Sequence, residues 1–467
     1  MRIKKTLKKL PFSIRQSAKY LYGLLPIRLR YGKVFWDTYN FLQESQWWSR
    51  EKLEEYQMQQ LSKLLHHAYE NVPYYRKTFD ERGLKPKDIQ DFNDLKKLPL
   101  LDKDEIKKHR GEFISKIHKK CHLESAHTGG STGSPLHFWH EKGVTSLKES
   151  AFFWRMWNWH DYHWGEKAFV IKGSYEIGDR IEYNPIDKIV SLYNPIINPK
   201  AVERYLKLII EFKPKVIRGY PSLIFLLAHF IIQNNIKLDL PSLRMIFCYA
   251  EKIFDFQRIE IQEAFKCKIT DHYGHNEVLV LMQKCKENKD YHIISEYGVT
   301  EVIGYNKKPE VRDDQIREIV GTGFNNYAFP MIRYRTKDWA VISKQSCKCG
   351  RVYPLIKDII GRSGDFILTP SGKLVSPTII SFALRYIKNF KDIQIVQTST
   401  DIIEILVVPD TSYTEEEGLK FAKGVKARIG ADIETRVILV DEIKRPFKQK
   451  RRFIKSEVSK EFLGIKK

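Results

Sequence analysis

The sequence predicts an α/β protein with a mostly parallel sheet, followed by a small α+β unit. Residues 168–171, 215–218, 244–248 and 268–270 form short apolar runs that read as strands, and helical patterns at 201–212, 223–232 and 254–265 alternate with them. Such alternation is the pattern of parallel strands joined by crossover helices. Beyond Gly361-Arg362-Ser363-Gly364-Asp365 the composition shifts: 376–387 and 415–429 read as helices, and 393–398, 402–409 and 436–440 as strands. That order suits a separate two-layer unit. The expected organisation is a basic N-terminal segment 1–48, a large domain 49–360 and a small domain 361–467.

In the large domain, Ser49 is a candidate N-cap with Glu51, Glu54 and Glu55 behind it. Leu53, Tyr56, Leu61, Leu64, Leu65 and Ala68 then recur at helical spacing until Val72-Pro73 ends the element. Residues 78–108 read as short charged helices with turns at Gly83, Pro86 and Pro99. The aromatic run at 152–164 suits a core or a pocket wall, and Phe152, Trp154, Tyr220 and His275 are candidates for either. In open parallel sheets, ligands bind beyond the carboxyl ends of the strands. Gly219-Tyr220, Ala250-Glu251 and Tyr273-Gly274 occupy those ends.

Composition narrows the class. The 467 residues are 42% hydrophobic and 13% aromatic, enough for large cores and against global disorder. No run of uncharged apolar residues is long enough to span a membrane. Arg15, Lys19, Arg28 and Arg30 interrupt the apolar stretch behind the basic start, which argues against a secretory signal. The six cysteines do not make a disulfide framework, and a cytoplasmic location is expected. The net charge of +23 admits nucleic acid, an anionic membrane surface or a polyanionic substrate. The lysines are scattered and no helix-turn-helix or RNA-binding signature occurs, so no nucleic-acid partner is expected. Residues 10–30 mix Phe12, Leu21, Leu24, Leu25 and Ile27 with basic residues. Two readings are open there: an amphipathic helix on the inner, anionic face of a membrane, or a terminal helix packed on the domain.

Two constellations carry chemistry. Thr128-Gly129-Gly130-Ser131-Thr132-Gly133-Ser134-Pro135 follows the basic pair Lys119-Lys120. Glycines let backbone N–H groups approach an anion closely, and hydroxyls add neutral donors. It matches neither a Walker loop nor a dinucleotide fingerprint, so the alternatives are a phosphate-gripping loop and a polar surface turn. Cys285 and His292 flank a short loop, while Cys347-Lys348-Cys349-Gly350 is a tight turn. Three thiolates and an imidazole suit a closed tetrahedral zinc site, but the spacing is not that of a zinc finger, and four unrelated residues are the alternative.

Taken in order, the motifs resemble those of the adenylate-forming enzyme superfamily. Thr128 to Pro135 is similar to its phosphate loop, and Asp271-His272-Tyr273-Gly274-His275-Asn276-Glu277 to its Tyr-Gly-x-x-Glu element. Arg333-Tyr334-Arg335-Thr336-Lys337-Asp338 resembles Tyr-Arg-Thr-Gly-Asp, Gly361 to Asp365 the hinge, and Lys448-Gln449-Lys450-Arg451-Arg452 the catalytic Gly-Lys region. Leu61-x-x-Leu64-Leu65-x-x-Ala68-Tyr69-x-Asn71-Val72-Pro73-Tyr74-Tyr75, Lys97-Leu98-Pro99-Leu100-Leu101 and Cys347-x-Cys349-Gly350-Arg351 resemble phenylacetate–CoA ligase-like proteins, most of all the branch associated with capsular polysaccharide biosynthesis.

The resemblance implies a large adenylate-forming domain and a mobile small domain carrying the catalytic lysine. It implies ATP-dependent adenylation of a carboxylic acid with Mg²⁺, then transfer of the acyl group to coenzyme A or another acceptor. Catalytic Lys450 would neutralise the adenylate oxygens, and Glu277 would hold Mg²⁺. Thr128, Gly129, Gly130, Ser131, Thr132, Gly133 and Ser134 would grip phosphates, and Ala250, Glu251, Tyr273 and Gly274 would surround adenine. His275 would be a further cofactor-binding residue, the Asn276 amide would donate toward the α-phosphate, and Asp338 with Arg362 would bind the ribose. Similar Cys and His positions in these relatives imply a structural Zn²⁺ on Cys285, His292, Cys347 and Cys349. Three departures stand out. Lys337 replaces Gly, Gln449 replaces Gly, and Asn276 replaces a hydroxyl residue, with Lys444, Lys448 and Lys450 crowded together. They keep open the alternatives of a catalytically altered homologue or a membrane-associated scaffold or transferase in polysaccharide assembly.

Overall fold

The computed structural model describes residues 20–128, 136–173, 179–195, 198–304, 316–362, 366–372, 374–375, 380, 382–387, 389–430, 432–444 and 452–462. Helices α1 (Ile27–Ser45) and α2 (Arg50–Asn71) open the large unit, followed by short helices α3 (Pro73–Glu81) and α4 (Lys103–Lys108). The Ser49 hydroxyl accepts a hydrogen bond from Lys52 N at 3.3 Å, capping α2 as its sequence predicts. Leu61, Leu64, Leu65 and Ala68 are fully buried, and burial stabilises each leucine by about 1.5–3 kcal/mol. Phe35 and Leu42 of α1 are also fully buried, in one core with Trp154 and Tyr162. Residues 27–45 therefore pack on the large unit. Ahead of them Tyr20, Leu21, Leu24 and Leu25 are exposed, as is Leu29 on α1 itself.

A two-stranded hairpin, β1 (Leu123–His127) and β2 (His137–Glu141), leads into helix α5 (Thr145–Asn158). Next come β3 (Ala168–Lys172), β4 (Arg180–Asn184), β5 (Ile189–Tyr193), α6 (Pro199–Phe212), β6 (Val216–Gly219), α7 (Pro221–Gln233), β7 (Met245–Cys248), α8 (Asp255–Phe265) and β8 (Lys268–Gly274). Strands β5, β3, β6, β7 and β8 pair in parallel in that order, and β4 closes the edge antiparallel to β5. Ile171, Ile217, Ile246, Ile224 and Ile261 fill the layer between sheet and helices.

The expectation of a mostly parallel sheet holds only for this half. Strands β9 (Leu281–Lys284), β10 (Tyr291–Ile293), β11 (Gly298–Ile303), β12 (Ile316–Gly323), β13 (Tyr334–Ile342) and β14 (Leu355–Arg362) continue the same sheet in the order β8-β9-β10-β14-β13-β12-β11. Every pair among them is antiparallel. Connection length is the reason: residues 275–280 join β8 to β9, and a parallel crossover needs about a dozen.

The small unit holds β15 (Ile367–Leu368), β16 (Leu374–Val375), β17 (Phe390–Gln397), β18 (Ile402–Pro409), α9 (Glu415–Ile429), β19 (Glu434–Leu439), β20 (Ile454–Ser456) and α10 (Glu457–Phe462). Its sheet, in the order β19-β18-β17-β20, buries Ile393, Ile395, Ile403 and Ile405 against Phe421 and Val425 of α9. Of the helix expected over 376–387, Ile380 is helical and Phe382–Tyr386 form a 3₁₀ turn, while 376–379 and 381 lie outside the described residues. Phe453 packs its ring 5.4 Å from that of Phe254, joining this unit to the start of α8.

Where the parallel and antiparallel halves meet, Asp271 of β8 is buried. It receives Arg258 Nη2 at 2.8 Å, Lys284 Nζ at 2.9 Å and the Tyr291 hydroxyl. Burial alone would raise its pKa, but Lys284 and Arg258, with those hydrogen bonds, hold it at about 2. Asp271→Ala should strand two partly buried cations and lower stability by about 3 kcal/mol in urea unfolding. Because the folded carboxyl titrates below its unfolded value, its contribution is complete above about pH 4 and is lost as pH falls through 2. Acid titration of the wild type, but not of the variant, should show that loss.

Candidate active site and metal centre

The β1–β2 hairpin positions the glycine-rich loop. His127 pairs with His137, and Thr128 and Leu136 exchange hydrogen bonds at 3.0 Å, one through the Thr128 hydroxyl. Gly129, Gly130, Ser131, Thr132, Gly133 and Ser134 lie outside the described residues. The hairpin is pinned to the segment after β8: Asn276 Nδ2 donates to the His127 carbonyl at 3.0 Å, and His140 Nε2 lies 2.9 Å from the Asn276 carbonyl. The Asn276 amide thus holds the entry to the loop.

A cavity of about 460 Å³ opens at the carboxyl ends of β6, β7 and β8. Of the expected residues, Thr128, Ala250, Glu251, Tyr273, Gly274, His275, Asn276, Glu277 and Asp338 all line it. They come from four separate stretches of chain. The Tyr273 hydroxyl donates to Asp338 Oδ2 at 2.8 Å, linking β8 to β13. Glu251 accepts from Ser222 N at 3.2 Å, at the start of α7. Glu277 is buried, its Oε2 3.5 Å from His275 Nδ1. Lys337 has φ of +60°, the left-handed conformation that glycine adopts without strain, and its ammonium lies 3.5 Å from Asp102. Arg362 ends β14, beside the cavity-lining Gly361. Lys450 lies outside the described residues, but Arg452, Phe453 and Ile454 just after it line the cavity from the small unit.

Sequence reasoning missed part of this wall. Phe152 and Trp154 are core residues, whereas Phe153 between them and Glu149 one turn earlier line the cavity. Tyr220 and His275 line it as well, and Tyr249 and His272 join them. The signal was the i, i+4 pair Glu149 and Phe153, hidden because the neighbouring positions are also aromatic. Burial pushes the Glu149 carboxyl up to about 7, against the lowering effects of a hydrogen bond from Tyr297 and of nearby His275. A carbon-detected NMR titration should give Glu149 a midpoint near 7. Tyr297→Phe should move that midpoint higher, because the lost hydroxyl favours the ionised form.

A second cluster forms on the far side of Lys284. Cys285 follows β9 and His292 lies on β10, so an antiparallel hairpin sets one pair. Cys347 and Cys349 come from a turn whose Gly350 has φ of +82°. The four ligand atoms lie within 4.8 Å of one another, with Cys285 Sγ 3.5 Å from Cys347 Sγ and Cys349 Sγ 3.3 Å from His292 Nε2. A tetrahedral site with Zn–S near 2.3 Å has sulfur–sulfur edges of about 3.8 Å, so the donor set fits that ion. His292 Nδ1 lies 3.3 Å from the Gln283 carbonyl, which assigns the proton to Nδ1 and leaves Nε2 for a metal. Burial, outweighing that hydrogen bond, lowers the His292 pKa to about 4 and keeps the ring neutral.

Comparison with known proteins finds relatives along most of the chain. Residues 367–457 match the CapK C-terminal domain family. The chain is 26% identical to Protein CapK of Staphylococcus aureus over 92% of its own length and 94% of that protein's. It is 25% identical to the phenylacetate–coenzyme A ligase of Thermus thermophilus, over 72% of this chain and 76% of that one. Among solved structures, 2-hydroxyisobutyryl-CoA ligase in the postadenylation state superposes with a TM-score of 0.69 at 17% identity, covering 90% of this chain and 94% of that one.

Proposed function

We propose that this chain, a homologue of CapK and of the phenylacetate–CoA ligases with the fold of the adenylate-forming CoA ligases, is itself an adenylate-forming ligase. A carboxylate is a poor electrophile. Its oxygen attacks the α-phosphorus of ATP, the bond to the β-phosphate oxygen breaks, and acyl-adenylate and pyrophosphate form. The thiol of coenzyme A then displaces AMP. Most of the barrier lies in charge on phosphoryl oxygens and in aligning the reactants, so donors and cations fixed in place are what the protein supplies.

One observation carries this reading: a single cavity gathers Thr128, Ala250, Glu251, Tyr273 to Glu277 and Asp338. The hairpin loop grips the pyrophosphate side. Asp338, oriented by Tyr273, accepts the ribose hydroxyls, and Arg362 assists there. Ala250, Glu251 and Tyr273 enclose adenine. Glu277 is the oxygen ligand for Mg²⁺, which supplies positive charge to the phosphates when bound. Lys450 enters from the small domain, 361–467, whose match to the CapK C-terminal domain supports the division. Similarity to CapK along nearly the whole chain favours, as the finer reading, a role in surface polysaccharide assembly.

ATP–pyrophosphate exchange should occur with at least one acid in a panel of aryl, fatty and amino acids. Absence of exchange with all of them, in protein shown to be folded, sinks the reading. Lys450→Ala should abolish adenylate formation while sparing transfer from a supplied acyl-adenylate. Equal loss of both half-reactions would overturn that assignment.

The Cys285, His292, Cys347 and Cys349 set holds a structural zinc that clamps the β9–β10 hairpin to the 347–350 turn. Four protein donors leave no open position for catalysis. Protein purified without chelator should contain about one zinc per chain, and Cys349→Ser should lose it and melt at lower temperature. Metal-free protein of unchanged stability would refute the site and leave the adenylation reading intact.

A further inference from the structure

We propose that the acid taken by this cavity carries a hydrogen-bond donor, a hydroxyl or an amino group, on its acyl part, and that Glu149 and His275 recognise it. This rests on the adenylation reading and extends it to the substrate class.

The cavity wall has an aromatic row. Tyr220 and Tyr249 have ring centroids 5.7 Å apart, Tyr249 and His272 5.8 Å, and His272 and Phe153 5.3 Å. An acyl chain suits this row, whereas nucleotide-type contacts lie with Tyr273 and Asp338. Glu149 stands one helical turn before Phe153 on α5, so the two share a face. Among the described residues, the hydrogen bond to its carboxyl is the one from Tyr297 at 3.3 Å, to Oε1.

His275 lines the same cavity, and neither ring nitrogen, both buried, makes a hydrogen bond among the described residues. Nδ1 lies 3.5 Å from Glu277, which leaves Nε2 as the unmatched atom. Native proteins pair about nine in ten of their buried polar groups, so an unmatched imidazole nitrogen beside an under-used carboxyl in one cavity points to a ligand. A hydrocarbon acyl group would cover both without satisfying either. A hydroxyl or amine can donate to Glu149 and meet His275 Nε2 in the same position. Sites built in this way reject the analogue lacking the polar group far more strongly than apolar pockets distinguish a methylene.

The test uses the full-length protein and matched acids in ATP–pyrophosphate exchange: phenylacetate against 3-hydroxyphenylacetate, 4-hydroxyphenylacetate and 4-aminophenylacetate, and butyrate against 3-hydroxybutyrate. A substituted acid should exceed its parent by at least ~100-fold in kcat/KM, and the hydroxyl and amino arms tell which donor is used. In Glu149→Leu that ratio should fall below about tenfold, with the melting temperature and circular dichroism reporting that the variant is folded. A parent acid used as well as its substituted partners overturns the inference, as does a ratio that survives in the folded variant. Should no acid support exchange, the adenylation reading fails. Calorimetric titration of the same pairs into the wild type still decides the inference, because equal or undetectable binding of parent and substituted acids overturns it.

Discussion

One buried carboxylate, Asp271, joins the two halves of the sheet. An isolated carboxylate at that depth would be protonated or would destabilise the fold by several kcal/mol. Here α8 supplies Arg258, β9 supplies Lys284 and β10 supplies Tyr291, so four elements meet on two oxygen atoms. Lys284 also lies over the Tyr291 ring at 4.2 Å. Both functional regions extend from this point. The carboxyl end of β8 runs on through Tyr273 to Glu277, and β9 runs on into Cys285. The register of β8 against β9, His272 opposite Gln283, therefore sets where each region stands.

In the scaffold, Arg333 reaches Glu301 through two nitrogens, Arg335 does the same to Glu318, and Arg155 lies 3.5 Å from Glu296 with both side chains fully buried, although Arg155 Nε and Nη2 make no hydrogen bond among the described residues. In the cavity, Glu149 is partly buried and takes one hydrogen bond from Tyr297, and the buried ring nitrogens of His275 make none among the described residues. Desolvated and under-bonded groups are destabilising in the free protein, and groups of that kind concentrate where a ligand completes them.

The departures from the family motifs acquire physical content. Lys337 occupies a left-handed position at a cost of about 1–2 kcal/mol relative to an unstrained residue. Its ion pair with Asp102 is half-exposed and offsets only part of that. Asn276 does not simply stand in for a hydroxyl. Its side-chain amide ties the carbonyl of His127, at the end of β1, to the segment after β8.

Local sequence determined what depends on neighbours in the chain. The α2 helix with its Ser49 cap, the alternation that builds β3 and β6 to β8, and strand ends such as Gly219-Tyr220 and Tyr273-Gly274 were legible because period, capping and turn chemistry act within a few residues. Resemblance of the motifs extended this to residues that line the cavity. What the sequence could not decide was long-range pairing. The antiparallel half of the sheet depends on which edge each returning strand finds, and the meeting of Cys285 and His292 with Cys347 and Cys349 depends on that pairing. Nor could the run 152–164 reveal which aromatic faces the cavity. In a helix crowded with apolar residues the inward stripe is set by the elements packed around it, and that packing buried Phe152 and Trp154 and turned Phe153 and Glu149 toward the cavity.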